Sequence, residues 1–422
     1  MSFNPFNEKP VNLDNTFLDW SKLYPVSYDK YDVDPYTKVR TILMNGTEYE
    51  AVWFNHQFYR NCNNNDIRRE LASVRRVEQQ QQKRISCIKP INETILENTI
   101  AYEQLAVDLT AILAQREKDL YVKAAYDFAL LEDFDHLYRF SNLLEMDYSV
   151  YAERLVGSYT EIFPGRPTIS EHRHPVDDVK RPIDNKTADA LTRLGISIIT
   201  AAEQQTMNYY MNQNGFYTSE LGRRIYQEIG MIEEEHVTLY GSLMDVNATW
   251  LENLLCHEYT ECYLYYSCYK DETHPKVKAI WEEMLMQEIA HLHKAAELLK
   301  KYEHKDWQQV IPIGEFPQLI SFGPQKTYIR EVLKETVTLT GKQETYSDVN
   351  DLEPNATFFK YQGIINREPK DNPSHQVIDK HIKEYSIDYR FEESPNPRKE
   401  LQNRSKDNIN LGRVKTKVSQ NA

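Results

Sequence analysis

Between residues 91 and 302, apolar side chains recur at helical spacing and few Gly or Pro interrupt them. A chain patterned this way over half its length has to bury those faces against one another. The spacing predicts six long helices, at about 92–115, 120–145, 187–212, 219–246, 250–270 and 275–302. Local chemistry marks the breaks. Asn214-Gly215 stops the third helix, and Thr218 or Ser219 caps the fourth. Thr249-Trp250-Leu251-Glu252 has the pattern of a capping box, and Pro275 suits the first position of the sixth helix. A long segment with Pro164-Gly165, Pro175 and Pro182 separates the second helix from the third.

The flanks read differently. Residues 1–90 form a mixed extension. Within it, Thr37–Met44 and Thr47–Phe54 flank Asn45-Gly46, and Tyr49, Ala51 and Trp53 alternate with polar residues. That pattern predicts a small N-terminal β-hairpin. The run Gln79–Gln82 reads as a solvated helix face. Residues 303–393 form an irregular C-terminal extension, strand-like near 336–340 and helical near 375–385. Residues 394–422 carry seven Lys/Arg against two acidic residues, which predicts a disordered basic tail.

The motif that carries chemistry is Glu-x-x-His, which puts a carboxylate and an imidazole on one helix face. It occurs at Glu171/His174, Glu233/His236 and Glu288/His291. With 39 Glu and 12 His in the chain, single copies carry little weight. What matters is the residue 30 positions earlier. It is Glu203 before Glu233 and Glu258 before Glu288, but Ser141 before Glu171. Asp133-x-x-His136 joins the set, with Glu103 30 positions before Asp133. Asp271/His274 has Gly241 at that offset and fails.

Three segments therefore share one arithmetic: 103/133/136, 203/233/236 and 258/288/291. In an antiparallel hairpin, two residues are level when the turn lies midway between them. The midpoints 118, 218 and 273 fall on the predicted turns. Each candidate ligand then sits about 20 Å from its turn, at about 1.5 Å per residue. All nine residues fit one layer deep in a bundle. Carboxylates at that depth are costly unless paired or metal-bound. Four carboxylates and two histidines balance two divalent ions, and oxygen with imidazole suits two iron or two manganese ions.

Glu…Glu-x-x-His, twice over, resembles the ferritin-like carboxylate-bridged dimetal superfamily, which includes rubrerythrins, manganese catalases and diiron oxygenases. The resemblance covers residues 91–302. It implies a mainly α, ferritin-like antiparallel helical bundle of six long helices in three hairpins. It also implies metal ligation by Glu203 and Glu258 as single carboxylates and by the pairs Glu233/His236 and Glu288/His291. For the first hairpin it implies the same of Glu103 and Asp133/His136.

Three hairpins stand where the superfamily needs two, and Asp133 stands where it has Glu. The superfamily joins its hairpins by one long crossover. Connectivity thus favours hairpins one and two, while ligand identity favours two and three. Hairpin two belongs to both readings. With no CxxC pair, a rubrerythrin-type electron-transfer module is absent.

The expected function is a non-haem dinuclear iron or manganese oxidoreductase acting on O2 or peroxide, with a small-molecule substrate as a further partner and a homodimer allowed. Asp135 or Glu282 would orient the histidines. Tyr210 and Tyr265 each follow a single Glu by seven positions, and Tyr240 follows His236 by four. All three project on the ligand faces, where core packing is the simpler role. The alternative function is a structural or interaction protein on the same scaffold, without redox turnover.

Composition agrees. Hydrophobic residues make up 41% and charged residues 27%, a globular balance for 422 residues. There are 64 acidic against 50 basic side chains, net −14, which argues against a nucleic-acid partner. No run of 18 apolar residues supports a membrane span, and no secretory signal is visible. Cys62, Cys87, Cys256, Cys262 and Cys268 are an odd, scattered set, which fits the cytoplasm.

Overall fold

A computed structural model describes residues 3–165 and 172–386. The described chain is mainly helical. In order it forms α1 (Pro35–Asn61), α2 (Asn65–Ser86), α3 (Ile95–Arg116), α4 (Leu120–Tyr148), the single turn α5 (Glu153–Val156), α6 (Ala190–Phe216), α7 (Glu220–Ser242), α8 (Trp250–Asp271), α9 (Pro275–Glu303) and α10 (Lys326–Thr336). A two-stranded antiparallel hairpin, β1 (Leu339–Lys342) with β2 (Thr345–Asp348), precedes α11 (Thr357–Ile365) and α12 (Pro373–Tyr385). The six helices expected between 91 and 302 are present as α3, α4 and α6–α9. Residue 171 and the basic tail lie outside the described residues.

Caps set the helix ends. Thr94 and Thr249 each close a capping box, with Glu97 and Glu252 reaching back to the cap N–H. Ser219 accepts from the Gly222 N–H at the start of α7, and Pro275 opens α9. Asn214-Gly215 does not stop α6, which runs on to Phe216.

The largest departure from the sequence reading is at the N-terminus. The expected β-hairpin over Thr37–Phe54 is instead the single helix α1, and the chain's β-hairpin lies at 339–348. Asn45-Gly46 marks a close helix approach, not a turn. A Cβ at Gly46 would sit 3.2 Å from the Gln205 side chain, whose Nε2 donates to the Ile42 carbonyl at 2.8 Å. Gly46→Leu should therefore overpack this contact and cost about 1–3 kcal/mol, read as a lower thermal midpoint.

The described residues divide into two compact units. Unit 1 draws on 3–93, 182–205 and 244–322; unit 2 draws on 94–165, 172–181, 206–243 and 323–386. In unit 1 the α1–α2 hairpin packs on the α8–α9 hairpin. Arg40 of α1 locks to the end of α8 through Asp271 at 2.7 Å and Glu272 at 2.9 Å. In unit 2 the α3–α4 hairpin packs on α7, and α10 and α12 cover α4. Val107, Leu130, Phe134, Phe163, Val332 and Leu333 form its dry core. His381 of α12 bonds Glu145 at 2.7 Å.

Helix ends repeat with a shift of 55 positions. α1 ends at 61 and α3 at 116; α2 begins at 65 and α4 at 120. In the same way α6 ends at 216 and α8 at 271, while α7 begins at 220 and α9 at 275. No helix among the described residues is long and apolar enough to cross a membrane.

Candidate metal centre

In unit 2 the site is built from the middles of long helices. Nearly every side chain of α3 from Leu96 to Ala114 is buried, so Glu103 cannot reach water. Asp133 and His136 lie in a fully buried stretch of α4. On α7 the apolar face of Ile225, Ile229, Ile232 and Leu239 carries Glu233 and His236 inward, while Glu234 is exposed. The crowding of acids at 233–235 thus resolves into one inward residue, one outward residue and Glu235, which serves a neighbouring network.

The two imidazoles present Nδ1 to carboxylates. His136 Nδ1 lies 3.0 Å from Glu233 and 4.0 Å from Glu103. His236 Nδ1 lies 3.2 Å from Asp133 and 3.3 Å from Glu233. One ligand atom each from Glu103, His136 and Glu233 falls within 4.8 Å of the others, which is the spacing a cation needs. Burial, with Arg139 and the second histidine nearby, holds His136 well below the usual imidazole range, which favours the neutral ring that ligation needs. The Tyr210 hydroxyl donates to Glu103 at 2.6 Å. Glu203 is buried on α6, two turns before Tyr210 and hence on the same helix face, within the stretch counted with unit 1.

Around this group runs a charged network that the sequence did not reveal. His236 Nε2 meets Glu132 at 2.9 Å, so Glu132 orients that ring, not Asp135. Asp135 pairs with Arg139, and Glu282 faces solvent. The buried Arg173 guanidinium binds Glu132 and Asp178 at 2.6 Å each and Glu235 at 3.2 Å. Burial alone would lower the His172 pKa. Glu228 at 3.8 Å and Glu235 at 3.7 Å outweigh it and push the value up to about 9. His174 is half-buried and caps a short turn by accepting from the Val176 N–H.

Unit 1 holds a second group. His291 Nδ1 lies 3.1 Å from Glu288 and 3.8 Å from Glu258. Ligand atoms of Glu78, Glu258 and His291 fall within 4.8 Å of one another, as do those of Glu258, Glu261 and Glu288. The Gln81 amide donates to Glu288 at 2.5 Å, Asn55 donates to Glu78 at 3.0 Å, and the Tyr265 hydroxyl donates to Glu48. Burial drives the Glu48, Glu258 and Glu261 carboxyls well above the usual carboxylate range and Glu78 to about 8. Glu288, equally buried, is held below that range by His291.

The structure therefore divides the nine candidate ligands. Glu103, Asp133, His136, Glu233 and His236 lie in unit 2; Glu203, Glu258, Glu288 and His291 lie in unit 1, where Glu258 and His291 meet Glu78 and Glu258 also meets Glu288. Sequence reading passed over Glu48, Glu78, Gln81 and Glu261, because Gln81 stands where the search required His. The 55-position shift would have found three of the four: Glu48 matches Glu103, Glu78 matches Asp133, and Gln81 matches His136. The same shift takes Glu203, Tyr210, Glu233 and His236 to Glu258, Tyr265, Glu288 and His291. Comparison with protein-family models, curated proteins and solved structures gives no match. The functional assignment therefore rests on chemistry and geometry alone.

Proposed function

We propose that unit 2 belongs to a ferritin-like dinuclear centre and that the chain is an oxidoreductase using iron or manganese with O2 or peroxide. The observation that carries this reading is the convergence of Glu103, His136 and Glu233, fully buried and from three helices, with ligand atoms within 4.8 Å. Asp133 and His236 adjoin them. Carboxylates together with imidazoles suit a pair of divalent first-row ions. Such a pair supplies the means to bind and reduce O2 or peroxide.

The chain's own residues do the rest. Glu132 fixes the His236 ring through Nε2, Tyr210 holds one oxygen of Glu103, and the closed core keeps bulk water from the carboxylates. Tyr210→Phe should leave helix content unchanged and weaken metal binding about 10-fold, because a ligating carboxylate loses its donor. Metal analysis with an absorption spectrum tests the reading. Bound iron or manganese and a spectrum that responds to peroxide support it. A fully folded chain that stays metal-free after purification with both metals present supports the scaffold reading instead.

A further inference from the structure

The group in unit 1 is more than an echo of the first. Five buried carboxylates gather here: Glu78, Glu258, Glu261 and Glu288 form close-set ligand triads with His291, and Glu48 lies near enough to feel the charge of Glu288 and Glu78. No Lys or Arg among the described residues forms an ion pair with any of the five. Neither Glu261 oxygen finds a hydrogen bond, and the same holds for Glu258 Oε2, Glu48 Oε2 and His291 Nε2. Buried ionisable groups left this way are costly, and their cost falls when a cation binds them.

Two further observations point to the ligand. The two close-set triads share one residue, Glu258, as a carboxylate bridging two cations would be shared. A cavity of about 180 Å³ also lies beside the group. Phe54, Ile196, Asn253 and His257 are among its lining residues, and His257 Nε2 lies 3.7 Å from Glu261, so one side chain separates the cavity from the carboxylates.

We propose that unit 1 is a second cation centre, with two positions bridged by Glu258: Glu78 and His291 complete one, and Glu261 and Glu288 the other. The second position is all oxygen. Its ligand class suits Mn(II) better than ions that favour imidazole or thiolate. Gln81, where unit 2 has His136, removes one imidazole from the centre and holds Glu288 through its amide instead. The two centres of one chain then differ in kind, one with two histidines and one rich in carboxylates.

The test strips the full-length chain with chelator and titrates it with Mn(II) alone, reading bound metal and the gain in thermal midpoint. Wild type should bind about four ions, two per bundle. Glu258→Gln should bind about two and lose part of the Mn(II)-dependent gain in midpoint. Glu261→Gln, which removes a charge without shortening the side chain, is the companion variant should Glu258→Gln fold poorly. It should also raise the midpoint of the stripped protein, because a buried ionisable group with no hydrogen bond is removed. Wild-type binding of two ions, unchanged by both unit 1 variants, overturns the proposal. If Glu233→Ala leaves binding unchanged while Glu258→Gln empties the protein, this centre stands and the unit 2 reading falls.

Discussion

Glu233→Ala and His236→Ala should each empty the unit 2 centre, lowering bound iron or manganese by about two ions per chain if that centre is dinuclear. Glu233 is the residue that both His136 and His236 face, at 3.0 Å and 3.3 Å. Its loss removes the one carboxylate common to both histidines. His236 is fixed from the far side by Glu132, which holds its ring toward the site. Glu171→Ala and His174→Ala are the controls. They carry the same motif, but residue 141 is Ser where a partner Glu is needed, and His174 serves as a turn cap. Equal metal content in all four variants, measured by elemental analysis, would refute the assignment.

Arg173→Met should be the most destabilising single change outside the ligands. The guanidinium is fully buried and serves Glu132, Asp178 and Glu235 at once. Methionine fills much of its volume but leaves three buried carboxylates without that charge. Breaking a buried ion-pair network in this way costs about 3–5 kcal/mol. Thermal unfolding followed by circular dichroism should show a clear fall in midpoint. Because Glu132 also orients His236, metal affinity should drop as well, by about 10–100-fold. An unchanged midpoint would show that Arg173 is not the keystone of the network.

The helical half of the fold was legible in the sequence because helix period, caps and breakers agreed there. Thr249-x-x-Glu252, Ser219 and Pro275 each sit where their chemistry placed them. The first 90 residues misled for a physical reason. Asn45-Gly46 carries the composition of a tight turn, yet the glycine is there so that Gln205 can approach α1. Local sequence does not distinguish a bend from a close contact with a distant residue. The candidate site was legible wherever ligand chemistry was kept, as in 103/133/136. It was invisible where Gln81 replaced the imidazole. Arg173 and His172 were out of reach, since they come from an irregular segment whose path no periodicity predicts.

Tyr210 and Tyr265 show how repetition sharpens a weak signal. Core packing was the simpler role for either one alone. In the structure each donates to the first glutamate of the opposing hairpin, Glu103 and Glu48. A shared role at equivalent positions is harder to attribute to packing.

The order of hairpins along the chain has a consequence for biosynthesis. The helices that build the unit 2 centre, from α3 to α7, are complete by residue 242, whereas the α1–α2 hairpin made first finds its partners in α8 and α9. At about 5–20 residues per second, a ribosome needs about 10–30 s to travel from the end of α2 to the start of α8. Through that interval the inner face of the first hairpin waits for α8 and α9, with α6 reaching α1 through Gln205 at Gly46 and Ile42, so nascent chains should depend on a holding chaperone and fail by aggregation when it is scarce.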